Sequence, residues 1–231
     1  MIEVDKEINR VLRQGDCAII VLDACRYDTF KAIYREYLSG ELQPAYSPGS
    51  CTIEWLIRTF KGYYSLTYVS GCGFVLSKRD AETKYGIFRA RRHFKKIVDC
   101  FLHGWDDKLG TVPPQHVTKC ALENIDDKMI IHYVQPHFPA IGEPKLLLNE
   151  PEVTAKLRMN QLTLDYVKRA YIGNLRLVLE QVKELVKHLP HKSIYVTSDH
   201  GQALGEQGIV DHPCRSNLDV LRVVPLLHVS T

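Results

Sequence analysis

Adjacent carboxylate and imidazole side chains at the end of an apolar run are the residues of this sequence best suited to chemistry. Residues 193–198 form an apolar run rich in β-branched residues, and Asp199, His200 and Gly201 follow it directly. Aspartate and histidine side chains are ligands for first-row divalent metals. In an open α/β sheet the carboxyl ends of the strands face the ligand crevice. From this segment alone, a strand-ending polar turn that uses glycine for its backbone conformation is an equally good interpretation.

A second carboxylate, Asp23, ends another apolar run at residues 17–22. If the two runs are neighbouring parallel strands, Asp23, Asp199 and His200 converge on one edge of the sheet. Two carboxylates and an imidazole at one place form a donor set for a single cation. The sequence therefore predicts a metal site at this edge.

Hydroxyl and thiol groups stand at the start of a predicted helix over residues 52–60. The run Ser-Pro-Gly-Ser-Cys-Thr occupies residues 47–52 and brings Cys51 and Thr52 to the helix N-terminus. A helix N-terminus offers free N–H groups and a dipole that favours an anion, and it lowers the pKa of a nucleophile placed there. The alternative interpretation of this segment is a simple N-cap.

The remaining pattern predicts one α/β domain over residues 1–231. Apolar runs predict strands at residues 17–22, 66–70, 129–134, 193–198 and 221–229. Periodic segments predict helices at residues 3–14, 28–38, 52–60, 90–102, 115–125 and 161–188. Strands that alternate with helices indicate a three-layer α/β/α fold with a mostly parallel central sheet. Residues 138–160 lack a periodic pattern, which favours a loop or mobile lid over the site.

Composition excludes several classes of protein. The 231 residues are 45% hydrophobic and 25% charged, which is typical of a globular protein with a sizeable core. The net charge of +3 suits an anionic substrate but is too small to indicate nucleic-acid binding. No apolar run reaches the length of a membrane span, and the charged N-terminus does not resemble a signal peptide. These features predict a cytoplasmic protein of undetermined oligomeric state.

The cysteines and one histidine favour structural roles at this stage. Seven cysteines, at positions 17, 25, 51, 72, 100, 120 and 214, include no Cys-x-x-Cys pair. They predict neither a zinc ribbon nor a disulfide framework, but buried thiols in a reducing compartment. His132 lies on the predicted strand at residues 129–134 and is interpreted as a core residue with satisfied polar atoms.

Four motifs, in order along the chain, resemble those of the alkaline phosphatase superfamily and its sulfatase-like hydrolases. Leu-Asp-Ala-Cys-Arg-Tyr-Asp at residues 22–28 resembles the first metal-aspartate motif, and residues 47–52 resemble the nucleophile turn. Gln-Pro-His-Phe-Pro at residues 135–139 resembles the Pro-His-x-Pro motif near the sulfate site. Residues 197–212 resemble the closing metal motif. Each motif alone is weak, but their shared order is much more specific.

The resemblance implies a hydrolase of phosphate or sulfate esters that acts through a covalent intermediate. Asp23, Asp199 and His200 would hold one divalent cation. Oxygen and imidazole donors together favour Zn²⁺ or Mn²⁺, whereas Mg²⁺ and Ca²⁺ prefer oxygen ligands. The substrate would be a small anionic ester.

The resemblance also implies roles for three further residues. His137 or His212 would protonate the leaving oxygen or orient the attacking water. Arg26 would clamp the anion with its planar guanidinium group. A buried ion pair between Arg26 and a carboxylate is the alternative.

Two departures from the family pattern refine these expectations. Sulfatases carry Cys-x-Pro-x-Arg, but residues 51–55 lack both the proline and the arginine, so we predict Thr52 as the nucleophile and Cys51 as the second candidate. Two-metal relatives supply an Asp-x-x-x-His pair where this chain has Asn174 and Val178. An amide is a poor ligand beside available carboxylates, so one metal is expected.

Two other functions are compatible with the same residues. A phospho-alcohol transferase would pass the covalently bound group to an acceptor alcohol instead of water. A catalytically silent domain would keep the fold and bind only a metal or an anion.

Overall fold

The computed structural model describes residues 1–230, which form a large central sheet with helices on both faces. Two small two-stranded sheets lie outside it. Within these residues, no helix combines the length and the apolar character needed to cross a membrane.

The strands and helices have the following bounds. The strands are β1 (Ile2–Glu3), β2 (Cys17–Leu22), β3 (Gly40–Tyr46), β4 (Tyr64–Ser70), β5 (Ala81–Thr83), β6 (Gly86–Phe88), β7 (Phe94–Val98), β8 (Lys128–Tyr133), β9 (Ser193–Thr197), β10 (Ala203–Leu204), β11 (Val210–Asp211) and β12 (Val223–Val229). The α-helices are α1 (Val4–Gln14), α2 (Tyr27–Ile33), α3 (Thr52–Thr59), α4 (Cys100–Gly104), α5 (Pro114–Leu122), α6 (Glu150–Arg158), α7 (Leu164–His188) and α8 (Asp219–Arg222). Short 3₁₀ turns cover Tyr34–Glu36, Ala90–Arg92 and Glu206–Gly208.

The central sheet has eight strands in the order β1-β3-β12-β9-β2-β8-β4-β7. Strand β12 runs antiparallel to its neighbours β3 and β9, and the other adjacent pairs are parallel. The prediction of a mostly parallel central sheet is therefore confirmed. Five consecutive parallel strands, β9-β2-β8-β4-β7, bring their carboxyl ends to one edge.

Alternate residues of β2 pack into two separate apolar clusters, one on each face of the sheet. Ala18, Ile20 and Leu22 face a cluster that includes Leu175 of α7. Ile19 and Val21 face the other cluster, which includes residues of α1 and α3. A strand covered on both faces must be apolar throughout, as β2 is. The three-layer α/β/α arrangement predicted from the sequence is confirmed.

Three segments differ from their predictions. The predicted helix at residues 90–102 is wrong, because β7 occupies its centre. Strand β7 lies at the edge of the sheet, where Lys95 and Lys96 can face solvent, so a charged sequence suits it. Strand β3 was missed because Pro44 suggests a turn. The predicted loop at residues 138–160 contains helix α6, which begins at an Asn149–Glu152 capping box.

Candidate metal and nucleophile site

Two adjacent parallel strands bring the predicted metal ligands together. Val21 of β2 pairs with Thr197 of β9, so Asp23 and Asp199 follow the strands at the same edge. The backbone N–H of Ala24 donates to Asp199 Oδ1 over 3.2 Å and joins the two strand ends. Each of the three residues Asp23, Asp199 and His200 offers one donor atom, and these three atoms lie within 4.8 Å of one another. All three residues are buried. The structure thus brings this predicted donor group together.

A backbone hydrogen bond orients the His200 imidazole towards the two carboxylates. Its Nδ1 lies 2.8 Å from the carbonyl oxygen of Gly201, which places the proton on Nδ1. Its Nε2 then faces Asp199 Oδ2 at 3.3 Å and Asp23 Oδ1 at 3.5 Å. Burial lowers the pKa of His200 to about 4. A neutral imidazole with a free Nε2 is the form that binds a metal.

The two buried carboxylates fit a divalent cation. Burial raises the pKa of Asp23, and the neighbouring Asp199 carboxylate raises it further. Burial also opposes ionisation of Asp199, but its contacts, first of all with His200, outweigh burial and lower the pKa of that carboxyl. Asp23 Oδ1 is buried without a hydrogen-bond partner among the described residues. A cation would satisfy this oxygen and offset the repulsion between the carboxylates.

Thr52 lies inside this donor group. It is the first residue of α3, and its hydroxyl donates to Asp199 Oδ2 over 2.8 Å. The Thr52 hydroxyl oxygen, Oγ1, also lies 3.2 Å from His200 Nε2. Only 4% of Thr52 is exposed, so its hydroxyl is held in place by these contacts. A nucleophile bound this close to a cation site would be activated by the cation.

Cys51 has no free thiol, because its sulfur is bonded to Cys214. The prediction that the chain has no disulfide is therefore wrong, and Cys51 does not fit the role of nucleophile. The partner lies 163 residues away and only becomes a neighbour in the fold, so no spacing pattern could reveal it. The bond links the start of α3 to the segment after His212. It also removes the cysteine-based argument for a reducing compartment, and cytoplasmic localisation stays a prediction.

A second group of ionisable side chains lies beside the first. His212 Nδ1 lies 3.0 Å from Glu150 Oε1 and 3.2 Å from Gln202 Oε1. His137 Nε2 lies 3.6 Å from Glu150 Oε2. The ring of His212 stacks on that of His200 with 4.4 Å between centroids. His137, Glu150 and His212 also satisfy the spacing of a metal-donor group, so this cluster could hold an anion, a proton or a second cation.

Charge pairing sets the ionisation of this second group. Burial opposes ionisation of Glu150, but His137 and His212 outweigh burial and lower the pKa of Glu150 to about 2. Burial likewise disfavours the imidazolium form of His212, but the Glu150 carboxylate outweighs it and raises the pKa of His212. The Glu150 carboxylate therefore favours the protonated form of His212. A protonated histidine next to the nucleophile can act as a general acid.

Asn174 positions the loop that carries His137. Its Oδ1 accepts the backbone N–H groups of Ile141 at 3.0 Å and Gly142 at 3.3 Å. Its Nδ2 donates to the carbonyl oxygens of Pro136 at 3.1 Å and His137 at 3.0 Å. Asn174, for which the family resemblance implied a lost metal ligand, thus serves the backbone here.

Replacing Asn174 by alanine is expected to destabilise the protein by about 3 kcal/mol, because several buried backbone groups lose their partners. Urea unfolding measures this loss. Gln181→Ala on the same helix is the control, since Gln181 is only partly buried. Equal, small effects of both substitutions would contradict the role of Asn174.

Arg26 is engaged by carboxylates. Its guanidinium donates to Asp28 with two nitrogens, at 2.9 and 2.6 Å, and to Glu206 Oε1 at 2.7 Å. A further bond reaches the Gln202 carbonyl oxygen at 3.1 Å. The Arg26 side chain is buried, but Asp28 is 63% exposed. These contacts therefore match the ion pair with a carboxylate that the sequence left open as the alternative to anion binding, with only the arginine side buried.

A cleft of about 460 Å³ opens beside Thr52 and His212. Its walls include the aromatic rings of Phe74 and Tyr85 and the cationic side chain of Lys84. Thr52 and His212 therefore border a space large enough for a small organic group. No motif in the sequence marked Phe74, Lys84 or Tyr85.

Sequence reasoning missed Glu150 and the role of Asn174. Glu150 falls in the segment predicted as a loop, one residue after the N-cap Asn149 of α6. The capping box was the available signal for the helix, but it does not indicate that Glu150 reaches two histidines. Contacts between distant segments create both roles.

Comparisons with known proteins identify the fold. No family model and no curated protein sequence matches the chain. Among solved structures, the lipooligosaccharide phosphoethanolamine transferase A of Neisseria meningitidis is 14% identical, with a TM-score of 0.61 over 93% of this chain and 47% of that one. The phosphonate monoester hydrolase of Agrobacterium radiobacter is 12% identical, with a TM-score of 0.58 over 93% of this chain and 68% of that one.

A third neighbour is the C-terminal periplasmic domain of EcEptC from Escherichia coli, solved in complex with Zn. It is 12% identical, with a TM-score of 0.55 over 93% of this chain and 72% of that one. The matches also include a structure described as a member of the alkaline phosphatase superfamily. The chain therefore has the fold of that superfamily. It spans about half the length of the Neisseria transferase, and identities this low carry the fold alone.

Proposed function

We propose that the protein is a metal-dependent hydrolase of phosphate or sulfate esters that uses Thr52 as a covalent nucleophile. One observation carries this proposal: the Thr52 hydroxyl donates to Asp199 Oδ2 over 2.8 Å inside the group formed by Asp23, Asp199 and His200. The combination of a buried hydroxyl and a cation-binding donor set supports chemistry more directly than fold similarity does.

In the proposed reaction, the chain supplies the nucleophile, its orientation and the leaving-group proton. A divalent cation held by Asp23, Asp199 and His200 would lower the pKa of the Thr52 hydroxyl and polarise an ester oxygen. Thr52 Oγ1 forms a bond to phosphorus or sulfur as the bond to the leaving oxygen breaks, and the hydroxyl proton passes to solvent. His212 protonates the leaving oxygen.

The second half of the reaction reverses these roles. Neutral His212 accepts a proton from water as that water attacks the phosphorus or sulfur atom. The bond to Thr52 breaks, and Thr52 recovers its proton. Glu150 holds His212 in place in both steps through its 3.0 Å hydrogen bond.

The cleft beside Thr52 supports a substrate with an organic alcohol portion. Phe74 and Tyr85 would pack against that portion, and Lys84 would attract a negative charge on it. We therefore propose a small anionic ester as the substrate and expect no nucleic acid as a partner.

A panel of nitrophenyl esters tests the proposed activity. Release of nitrophenol from the phosphate monoester, the phosphate diester and the sulfate would be measured after chelation and after addition of Zn²⁺, Mn²⁺, Mg²⁺ or Ca²⁺. Turnover of at least one ester that depends on an added metal is expected. No turnover with any metal would contradict the proposal and favour a silent binding domain.

A phospho-alcohol transferase is the second candidate, because the similar structure from Neisseria meningitidis is a phosphoethanolamine transferase. In that case an acceptor alcohol, not water, would release the group from Thr52. Adding ethanolamine or glycerol to the assay would divert the product to a new ester and would raise nitrophenol release if breakdown of the intermediate limits the rate. Products that contain only inorganic anion would favour the hydrolase.

Replacing Glu150 by glutamine is expected to shift the high-pH limb of kcat/KM to lower pH. The Glu150 carboxylate outweighs burial and raises the pKa of His212 from 6.5. Of the other groups facing the ring, His137 lowers this pKa, Asp23 raises it and His200 stacks on it. Without the charge of Glu150, burial prevails and His212 loses its proton at lower pH. A limb that does not move would show that His212 is not the acid.

The same substitution should alter how stability depends on pH. The folded-state pKa of His212 lies above its unfolded value, so its contribution is complete below about pH 6.5 and is lost as pH rises through the folded pKa. The pKa of Glu150 falls from 4.5 to about 2, so its contribution is complete above pH 4.5 and is lost towards pH 2. Urea unfolding should show the largest difference from Glu150→Gln at about pH 5–6. The control is Glu143→Gln, an exposed carboxylate of the same segment.

A further inference from the structure

Three adjacent strands, β2, β8 and β4, bring a second set of buried donors to the floor of the site. His132 of β8 pairs with Val21 of β2 on one side and with Ser70 of β4 on the other. Cys72 follows β4 by two residues, and Asp23 follows β2 directly. Each of the three residues Asp23, Cys72 and His132 offers one donor atom, and these three atoms lie within 4.8 Å of one another. All three residues are buried. Asp23 is thus shared with the group that contains Asp199 and His200.

Two polar atoms of this inner group have no partner. His132 is fully buried, and its Nδ1 lies 2.8 Å from the Tyr68 hydroxyl. Its Nε2 has no hydrogen-bond partner among residues 1–230, and neither has Asp23 Oδ1. The nearest carboxylate oxygen to Nε2, Asp199 Oδ2, is 3.9 Å away and beyond hydrogen-bond distance. The prediction that His132 is a satisfied core residue is therefore wrong.

The Cys72 sulfur also differs in its hydrogen bonding from the other buried thiols. Cys17 and Cys25, which are buried as well, direct their sulfur atoms to the carbonyl oxygens of Val11 and Arg26. The sulfur of Cys72 instead accepts the backbone N–H of Phe74 at 3.5 Å, and the described residues offer its thiol no acceptor. A sulfur that accepts an N–H group and faces an imidazole nitrogen is arranged as a thiolate ligand is.

We propose that Asp23, Cys72 and His132 form an inner binding site for a thiophilic divalent cation, Zn²⁺ in the first place. Sulfur, imidazole and carboxylate donors together are a typical set for zinc. The Cys72 proton passes to solvent when the ion binds. His132 keeps its proton on Nδ1 and donates it in a hydrogen bond to the Tyr68 hydroxyl oxygen, so that Nε2 is free to bind the ion. The proposal rests on the proposed function only through the shared Asp23.

A shared Asp23 carboxylate can bridge two cations, one held with Asp199 and His200 and one held with Cys72 and His132. The alternative is that His132 carries its proton on Nε2 and only orients Asp199, with no sulfur ligand. The two arrangements differ in metal content and in the optical spectrum of a cobalt-substituted protein.

The experiment compares the wild-type protein with Cys72→Ser and with the control Cys17→Ser. Cys17 is a buried free cysteine at the opposite end of β2 from Asp23. After chelation and titration with Zn²⁺, the wild type and Cys17→Ser should bind about two ions and Cys72→Ser about one. With Co²⁺, the first two proteins should show a sulfur-to-cobalt charge-transfer band that Cys72→Ser lacks.

The outcomes separate this proposal from the proposed function. Replacing His200 by alanine should remove the outer ion and activity but keep the charge-transfer band. If the cobalt-substituted wild type shows no such band, the inner site is excluded, while metal-dependent turnover would still support the proposed function. The wild-type band is decisive even if Cys72→Ser does not fold, because Cys72 is the sole cysteine in the donor groups found within residues 1–230.

Discussion

Replacing Thr52 by alanine is expected to lower kcat/KM by about 10⁴-fold or more and to abolish the covalent intermediate. The substitution removes the hydroxyl that donates to Asp199 Oδ2 over 2.8 Å. It leaves the metal donors Asp23, Asp199 and His200 unchanged. The lost hydrogen bond should cost only about 1 kcal/mol of stability, so the variant should stay folded.

Mass spectrometry of acid-quenched protein would detect the intermediate as an added phosphate or sulfate on the peptide that contains Thr52. Thr52→Ser is the matched control, since it keeps a hydroxyl at the same position and should retain the adduct. The double variant Cys51→Ala/Cys214→Ala removes the disulfide without leaving a free thiol and should also form the adduct. An active Thr52→Ala protein would show that Thr52 is not the nucleophile.

The parts of the site that the sequence predicted are those that lie at strand ends. Asp23 and Asp199 each end an apolar run, and parallel neighbours must bring such ends to one edge. The N-terminus of α3 was predictable for a similar reason, because a run of turn residues precedes it. Local patterns therefore sufficed to place Asp23, Asp199 and His200 together, whereas the place of Thr52 beside them was implied by the family resemblance.

The parts that could not be predicted depend on contacts between distant segments. Glu150 reaches His137 and His212 only because α6 packs beside the sheet edge, and nothing in its neighbouring residues indicates that contact. The bond between Cys51 and Cys214 joins positions 163 residues apart. Strand β7 was mistaken for a helix because an edge strand tolerates lysines that a central strand would not.

The path of the loop that carries His137 also depends on such contacts. Gly173 lies so close to the loop that a Cβ there would meet the Glu143 carbonyl oxygen at 2.0 Å. This glycine, in the middle of α7, allows the loop to reach Asn174. In the sequence it is only a helical residue with low helix propensity.

Replacing Asp199 by asparagine is expected to remove the outer cation and with it most of the activity. Asp199 Oδ1 accepts the N–H groups of Ala24 at 3.2 Å and His200 at 2.9 Å, and an asparagine oxygen can keep both bonds. The asparagine NH₂ group would then replace Oδ2, which lies 3.3 Å from His200 Nε2. It would offer a proton where a cation needs a negative oxygen.

The folded state itself should tolerate this change. Asp199 raises the pKa of the buried Asp23 carboxyl, after the larger effect of burial, so its removal relieves repulsion between the two groups. The metal-free Asp199→Asn protein should therefore unfold at a temperature close to that of the metal-free wild type. What is lost is the stabilisation that bound metal confers, about 2.7 kcal/mol when the free metal is at 100 times its Kd.

Thermal unfolding with and without Mn²⁺ measures this difference. Mn²⁺ prefers oxygen donors, so it reports on the group formed by Asp23, Asp199 and His200 and not on the sulfur of Cys72. The wild type and the control Asp28→Asn, which removes a partner of Arg26 outside the donor group, should be stabilised by Mn²⁺. Asp199→Asn should not be stabilised. An equal shift in all three proteins would mean that Asp199 is no ligand, and the reaction proposed for Thr52 would lose the cation that activates its hydroxyl.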